Sequence, residues 1–228
     1  MTNIANITTT IAEITQLLLG LGISSLHPEY AGIINIVNNI NNIQDLYTIK
    51  KCLIKIDERL KNIEENNVSL EYMSSHLFVD EIKQLLYIQE RNDLEQKKEL
   101  YANFFEHCCN CASISKINKE HYFKLLQLMD VFALSILKEI PVHYIAACNK
   151  ISLVRKFCNK NPNLSYDDIG CCVDILIANG LAMYISDDDI TKHPNRFGSI
   201  QVRGGAPYII QTDLGKGFLN FISAKGNV

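Results

Sequence analysis

The sequence lacks the features that would place it in a membrane or secreted class. It contains no uninterrupted apolar run of about eighteen residues, so we do not expect a transmembrane helix. Its first residues lack the basic start and the small-residue cleavage site of a secretory signal. The eight cysteines fall in helical patterns and do not outline a disulfide framework. We therefore expect a cytoplasmic protein with reduced thiols.

Catalytic signatures are also missing. There is no glycine-rich phosphate loop ending in Lys-Ser/Thr, no paired-histidine metalloprotease motif and no nucleophile elbow. Cys108 and Cys111 have the two-residue spacing of a zinc knuckle, but a structural zinc site normally needs a second pair of ligands. We expect no enzyme activity, no metal and no cofactor.

Excess positive charge is missing as well. The formal net charge is −3, and residues 1–120 carry 11 Lys/Arg against 16 Asp/Glu. Residues 121–228 carry 11 against 9, which makes the second half only weakly basic. A dedicated nucleic-acid binder usually has a much stronger positive field.

Hydrophobic periodicity dominates the N-terminal part. Apolar residues at three- and four-residue steps from Ile4 predict an amphipathic helix that ends at Gly20. Its polar face has no Lys or Arg, which disfavours a role on a membrane surface. A second pattern, from Ile33 to Ile63, predicts one long helix with a narrow apolar seam.

The seam has two interpretations that the sequence leaves open. It can pack against the first helix as a hairpin within one chain, or it can form a homodimer with a second copy. The candidate oligomerisation residues are Ile33, Ile36, Ile40, Ile43, Leu53, Ile56 and Leu60.

A change of pattern predicts three regions. Residues 1–68 are predicted to form a helical or coiled-coil region, and residues 69–120 a helical connecting segment. Residues 121–228 are predicted to form a separate C-terminal domain. It is expected to begin with an apolar helix stopped by Pro141, followed by a helical stretch from Val142 to Phe157.

The rest of the C-terminal region reads as helix, hairpin and helix. Ser165 stands three residues before Asp168, as in a helix N-cap, and the helix that follows is expected to bury Ile169, Val173 and Leu176. Gly180 is expected to end it in a left-handed conformation. Strands at Leu181–Ile185 and Tyr208–Gln211 are expected to pair, with a turn-rich tip between them. Thr212 opens the last helix.

This order of elements resembles a winged-helix domain. Asn179-Gly180-Leu181 is similar to the junction between the recognition helix and the wing in that superfamily. The stretch from Tyr208 to Phe218 is similar to the wing exit, with Gln211 where a leucine is usual. The fold class implied is mainly α: an N-terminal helical hairpin or coiled coil, a helical segment, and a winged helix with a two-stranded wing.

A weaker resemblance extends over residues 77–222. Glu99–Phe105 and Tyr122–Leu128, together with the glycine-leucine junction, are similar to the bacterial abortive-infection alpha family. Membership would imply a part in resistance to phage.

The predicted recognition helix is poorly suited to DNA. Its outer face is expected to show Tyr166, Asp167, Gly170, Cys171, Asp174 and Ala178, and carboxylates repel phosphates. Positive charge nearby defines the candidate phosphate contacts: Lys150, Arg155, Lys156, Lys160, Lys192, Arg196 and Arg203.

Three functions remain open. The preferred one is a non-enzymatic protein of phage defence or host-phage interaction that uses its winged helix to contact another protein. The alternative is a dimeric winged-helix transcriptional regulator with two equivalent DNA half-sites. A third is an adaptor whose N-terminal helices recruit a toxic or membrane-active partner.

Overall fold

A computed structural model shows a mainly helical chain with a small antiparallel sheet. The description covers residues 2–23, 30–61, 63, 70–73, 75–88, 91–110, 116–142, 148–185 and 208–223. Within this part of the chain, no helix is both long enough and apolar enough to cross a membrane.

The chain forms two compact units. The first comprises Met1–Gln127 and Phe221–Val228, and the second comprises Leu128–Asn220. The helices of the first unit are α1 (Thr2–Gly20), α2 (Tyr30–Asn38), α3 (Ile43–Lys61), α4 (Leu70–Met73), α5 (His76–Tyr87), α6 (Arg91–Asn110) and α7 (Lys116–Leu128, of which the last residue is assigned to the second unit). The predicted boundaries at residues 68 and 120 stay predictions.

The second unit holds both helices and strands. Its elements are α8 (Val131–Glu139), β1 (Cys148–Asn149), α9 (Lys150–Lys160), α10 (Tyr166–Ala178), β2 (Ala182–Ile185) and β3 (Tyr208–Gln211). The last helix, α11 (Asp213–Ile222), contributes its final two residues to the first unit and the others to the second.

Helix α3 lies at the centre of the first unit, against α1 and α6. Leu46, Ile49, Leu53 and Ile56 are fully buried and recur at three- and four-residue steps, so one face of α3 fills the core. The packing of α3 on α1 within one chain matches the hairpin interpretation of the seam.

The predicted long helix from Ile33 to Ile63 is wrong, because the chain leaves the helix between α2 and α3. The break falls at Asn39–Asn42, and Asn side chains compete for backbone hydrogen bonds and disfavour helix interiors. The Asn42 side-chain oxygen accepts a hydrogen bond from the Gln44 backbone N–H at 2.9 Å, which supports the start of α3.

The end of the chain completes the core of the first unit. Phe221 packs its ring against Phe104, with centroids 5.4 Å apart, and against Tyr122 at 5.2 Å. The buried side chain of Asn103 donates a hydrogen bond to the carbonyl oxygen of Ile222 at 3.0 Å. The core of this unit therefore depends on residues far apart in the sequence.

A buried polar cluster also lies in the first unit. The Tyr72 hydroxyl donates a hydrogen bond to the Glu81 carboxyl group, and the Lys119 ammonium group lies 4.5 Å from the centre of the Tyr72 ring. Lys119 donates to the backbone oxygen of Cys108 at 3.0 Å. Glu81 is only 1% exposed, and its other oxygen makes no hydrogen bond to any residue that the structure describes.

Burial decides the protonation of this cluster. Desolvation raises the pKa of Glu81 from 4.5 to about 8, despite the opposing effects of the Tyr72 hydrogen bond and the positive charge of Lys119. Burial also raises the pKa of the Cys109 thiol to about 12. Glu81 is therefore mainly a neutral acid at pH 7.

The sheet of the second unit has the order β1-β3-β2, and both pairings are antiparallel. The predicted pairing of the two longer strands is confirmed, with Ala182 opposite Gln211 and Ile185 opposite Tyr208. Gly180 has a φ of 71°, the predicted left-handed residue at the end of α10. The predicted tip between β2 and β3 lies outside the described residues.

Two helix predictions need correction. The apolar pattern around Leu125–Ile140 is two helices, because Asp130 caps the start of α8 by accepting a hydrogen bond from the Ala133 N–H at 2.5 Å. Residues 143–147 of the stretch that was predicted to be helical from Val142 lie outside the described residues, and helix α9 begins at Lys150, where Asn149 is the N-cap. The short strand β1 precedes it and was not predicted.

Candidate interaction surface

Helix α10 carries the surface that sequence reasoning singled out. It buries Ile169, Val173 and Leu176, as predicted, and packs against α8 and α9. Its start is fixed by a capping box: the Ser165 N–H donates to the Asp168 carboxylate at 2.9 Å, and the Asp168 N–H donates to the Ser165 hydroxyl at 3.1 Å. The capping hydrogen bonds lower the pKa of the Asp168 carboxyl group, which stays ionised.

The outer face of α10 is acidic and partly apolar. The exposed residues at the predicted positions are Tyr166, Asp167, Cys171, Asp174 and Ala178, whereas Gly170 is half-buried. Ile175 is 44% exposed on the same helix. This face therefore offers carboxylates together with apolar contact area.

One of these carboxylates is held in a network. The Lys150 ammonium group donates to the Asp174 carboxylate at 2.6 Å, and the Tyr184 hydroxyl donates to the same oxygen at 2.9 Å. The hydrogen bond from Lys150 lowers the pKa of Asp174. The charge of Lys150, a predicted phosphate contact, is thus compensated by a carboxylate.

Two other basic residues of α9 are also paired with a carboxylate. The ammonium groups of Lys156 and Lys160 lie 2.5 Å and 3.4 Å from the carboxylate oxygens of Glu139. These contacts lower the pKa of Glu139. Arg155 is exposed and has no carboxylate partner among the described residues. The remaining predicted contacts, Lys192, Arg196 and Arg203, lie outside the described residues.

Large apolar side chains add to the exposed surface of the second unit. Ile151 and Tyr166 are 45% and 46% exposed, and the Tyr166 hydroxyl donates to the Ile151 backbone oxygen at 3.3 Å. Met183 is 42% exposed on β2. We did not predict the exposure of Ile175 or Met183. The turn of 100° per residue, which puts Ile175 on the far side of a helix that buries Val173, would have found the first.

The seven candidate oligomerisation residues do not share one accessible face. Ile33, Leu53 and Ile56 are fully buried within the chain, and Leu60 is 8% exposed. Ile36, Ile40 and Ile43 are half-buried. A second copy could touch only these last three without opening the core of the first unit.

The cysteines with the spacing of a zinc knuckle can be located only in part. Cys108 and Cys109 are fully buried, and Cys111 lies outside the described residues. A buried thiol with a raised pKa is a poor nucleophile, because the reactive form is the thiolate. Over the residues with described positions, no group of three or more His, Cys, Asp or Glu side chains is arranged to hold a metal.

The chain was compared with known proteins at three levels. No protein-family model, no curated protein and no solved structure gives a significant match.

Proposed function

We propose that this chain is a non-enzymatic protein of bacterial phage defence or host-phage interaction, and that residues 121–228 form a winged helix used to contact another protein. The part concerning defence depends on the resemblance to the abortive-infection alpha family. The part concerning contact with protein depends on the chemistry of α10.

The winged-helix assignment is supported by topology. The second unit runs α8, β1, α9, α10, β2, β3, and its sheet order is β1-β3-β2. A winged helix has this sequence of elements, with its third helix followed by the wing hairpin. Gln211 replaces the usual leucine and has its own structural role: its buried amide donates to the Leu137 carbonyl at 2.6 Å, at the end of α8.

The observation that favours a protein partner is the composition of the exposed face of α10. A recognition helix that enters the major groove must approach the phosphate backbone, where each exposed carboxylate is repelled. The lysines of α9 offset this repulsion only in part, because Lys150 pairs with Asp174, and Lys156 and Lys160 share the single carboxylate of Glu139. Exposed Ile175 and Met183 supply the apolar contact that protein interfaces use.

The first test is binding to DNA. We expect a fluorescently labelled mixed-sequence duplex to show no anisotropy change with the wild-type protein at about 50 mM salt, conditions under which nonspecific binding is strong. Asp167→Lys should create measurable low-salt binding, since it replaces an exposed negative charge on α10 by a positive one. Tight wild-type binding that weakens steeply with salt would contradict this expectation and favour the regulator function.

The second test is protection of cells. We expect cells that carry the gene to give at least about tenfold fewer plaques with one or more phages of a diverse panel than cells without it. Ile175→Arg should abolish this protection, because it puts a charge in the apolar part of the exposed α10 face.

The matched control for that variant is Asn163→Arg, which adds the same charge at an exposed site before α10 and should protect like wild type. Equal plaque numbers with and without the gene across the whole panel would contradict the defence role. Protection by Ile175→Arg at the wild-type level would show that the face of α10 is not the contact surface.

A further inference from the structure

The first unit has an open groove between α2 and α5 that the proposed function does not use. Its volume is about 480 Å³. It is lined by Gly32, Asn35, Ile36, Asn39, Ile40, Leu86 and Tyr87. The residues from α2 and the turn after it recur at three- and four-residue steps, so they form one continuous strip along the helix.

The described lining of this groove is uncharged. None of the lining residues that the structure describes is Asp, Glu, Lys, Arg or His, although these types are common in the chain. Its apolar part consists of the half-buried Ile36 and Ile40 with the buried Leu86. The side-chain amides of Asn35 and Asn39 are exposed and make no hydrogen bond to another residue with a described position. An occupant is therefore selected by shape, apolar contact and amide hydrogen bonding.

Two residues make the groove accessible. A Cβ atom added at Gly32 would meet nothing within 4 Å, so the glycine leaves open space at this position. Tyr87 stands at the edge of the groove and is 60% exposed. An aromatic ring with that exposure gains from burial in an apolar pocket, and tyrosine is among the residues that dominate interface energies.

We propose that this groove binds a second copy of the same chain in a twofold arrangement, with Tyr87 of each copy entering the groove of the other. A twofold interface brings each surface against itself, so the surface must be self-complementary. Amides satisfy this requirement because each both donates and accepts hydrogen bonds, whereas a patch of one charge would repel its copy. The described lining has the amides and lacks the charge.

The same face explains which part of the apolar seam is free for assembly. Ile36 and Ile40 belong to the periodic pattern but remain half-buried, while Ile33 of the same helix is fully buried in the chain. The seam therefore has two sides. The buried side, with Ile33, packs within the chain, and the half-buried side, with Ile36 and Ile40, contacts the second copy.

The test is the association constant of the full chain, measured by sedimentation equilibrium over a range of concentrations. We expect a concentration-dependent dimer for the wild-type chain. Gly32→Lys should raise the Kd at least about tenfold, because it puts an uncompensated charge in the groove. The fold should tolerate this change, since lysine is a better helix former than glycine and the position is open. Tyr87→Ala should also raise the Kd about tenfold or more.

The matched control is Asn38→Lys, which adds the same charge to the exposed side of α2 but does not line the groove. It should leave the Kd within about twofold of wild type, and circular dichroism should show that all the variants are folded. A wild-type chain that is monomeric at every accessible concentration would overturn the proposal. So would a Gly32→Lys variant with an unchanged Kd, or a control that weakens the dimer equally.

Discussion

Gly215→Ala is expected to destabilise the second unit severely, by on the order of several kcal/mol. A Cβ atom at this position would lie 2.0 Å from the carbonyl oxygen and 2.9 Å from the carbonyl carbon of Leu181. Both are backbone atoms, so the clash cannot be relieved by rotating a side chain, and α11 would have to move away from the start of β2. We expect the variant to unfold at a lower urea concentration than wild type when unfolding is monitored by circular dichroism.

Gly170→Ala is the matched control for this variant. Gly170 lies inside α10, and a Cβ there would meet nothing within 4 Å. Alanine should therefore stabilise the helix by up to about 1 kcal/mol. If Gly215→Ala unfolds at the same urea concentration as wild type, α11 does not approach the Leu181 backbone as closely as described.

The second large effect concerns pH. Glu81 has a pKa of about 8 in the folded chain, against an ordinary value of 4.5, because burial disfavours its charged form. Between these values the folded state binds the proton more tightly than the unfolded state does. The stabilising contribution of neutral Glu81 is thus fully present below pH 4.5 and is lost as the pH rises toward 8. The loss is on the order of several kcal/mol.

The variant that tests this effect is Glu81→Gln, which resembles the neutral acid in shape and cannot ionise. We expect its free energy of unfolding to be within about 1 kcal/mol of wild type at pH 5 and clearly higher than wild type at pH 8. Glu58→Gln removes an exposed carboxylate of α3 and should keep the wild-type pH dependence. Equal pH slopes for wild type and Glu81→Gln would show that Glu81 ionises normally in the fold.

Local signals in the sequence predicted the second unit well. Ser165 with Asp168, Gly180, and the two β-rich segments each specify their structure through neighbouring residues, and all appear where expected. The break between α2 and α3 was missed because hydrophobic spacing was followed across four residues that include three asparagines. The strand β1 was missed because two residues carry no periodicity, and its partner strand β3 lies about sixty residues further along the chain.

The candidate surface was predicted less completely, because its lysines pair with carboxylates that are far from them in the sequence. The exposed carboxylates of α10 follow from helical geometry, so Asp167 and Asp174 could be placed in advance. The partners of the lysines could not: Lys150 reaches Asp174, and Lys156 reaches back to Glu139. Such pairings depend on the packing of α8, α9 and α10, and they reduce the positive charge that α9 can offer to a phosphate.

The position of Phe221 has a consequence for how the protein is made. Translation delivers the N-terminal helices first, but the ring that packs on Phe104 emerges more than a hundred residues later. Until the ribosome has extruded that ring, Phe104 lacks this packing partner, and the closing contact spans a long loop. We therefore expect the second unit, whose residues are contiguous, to be able to mature before the first.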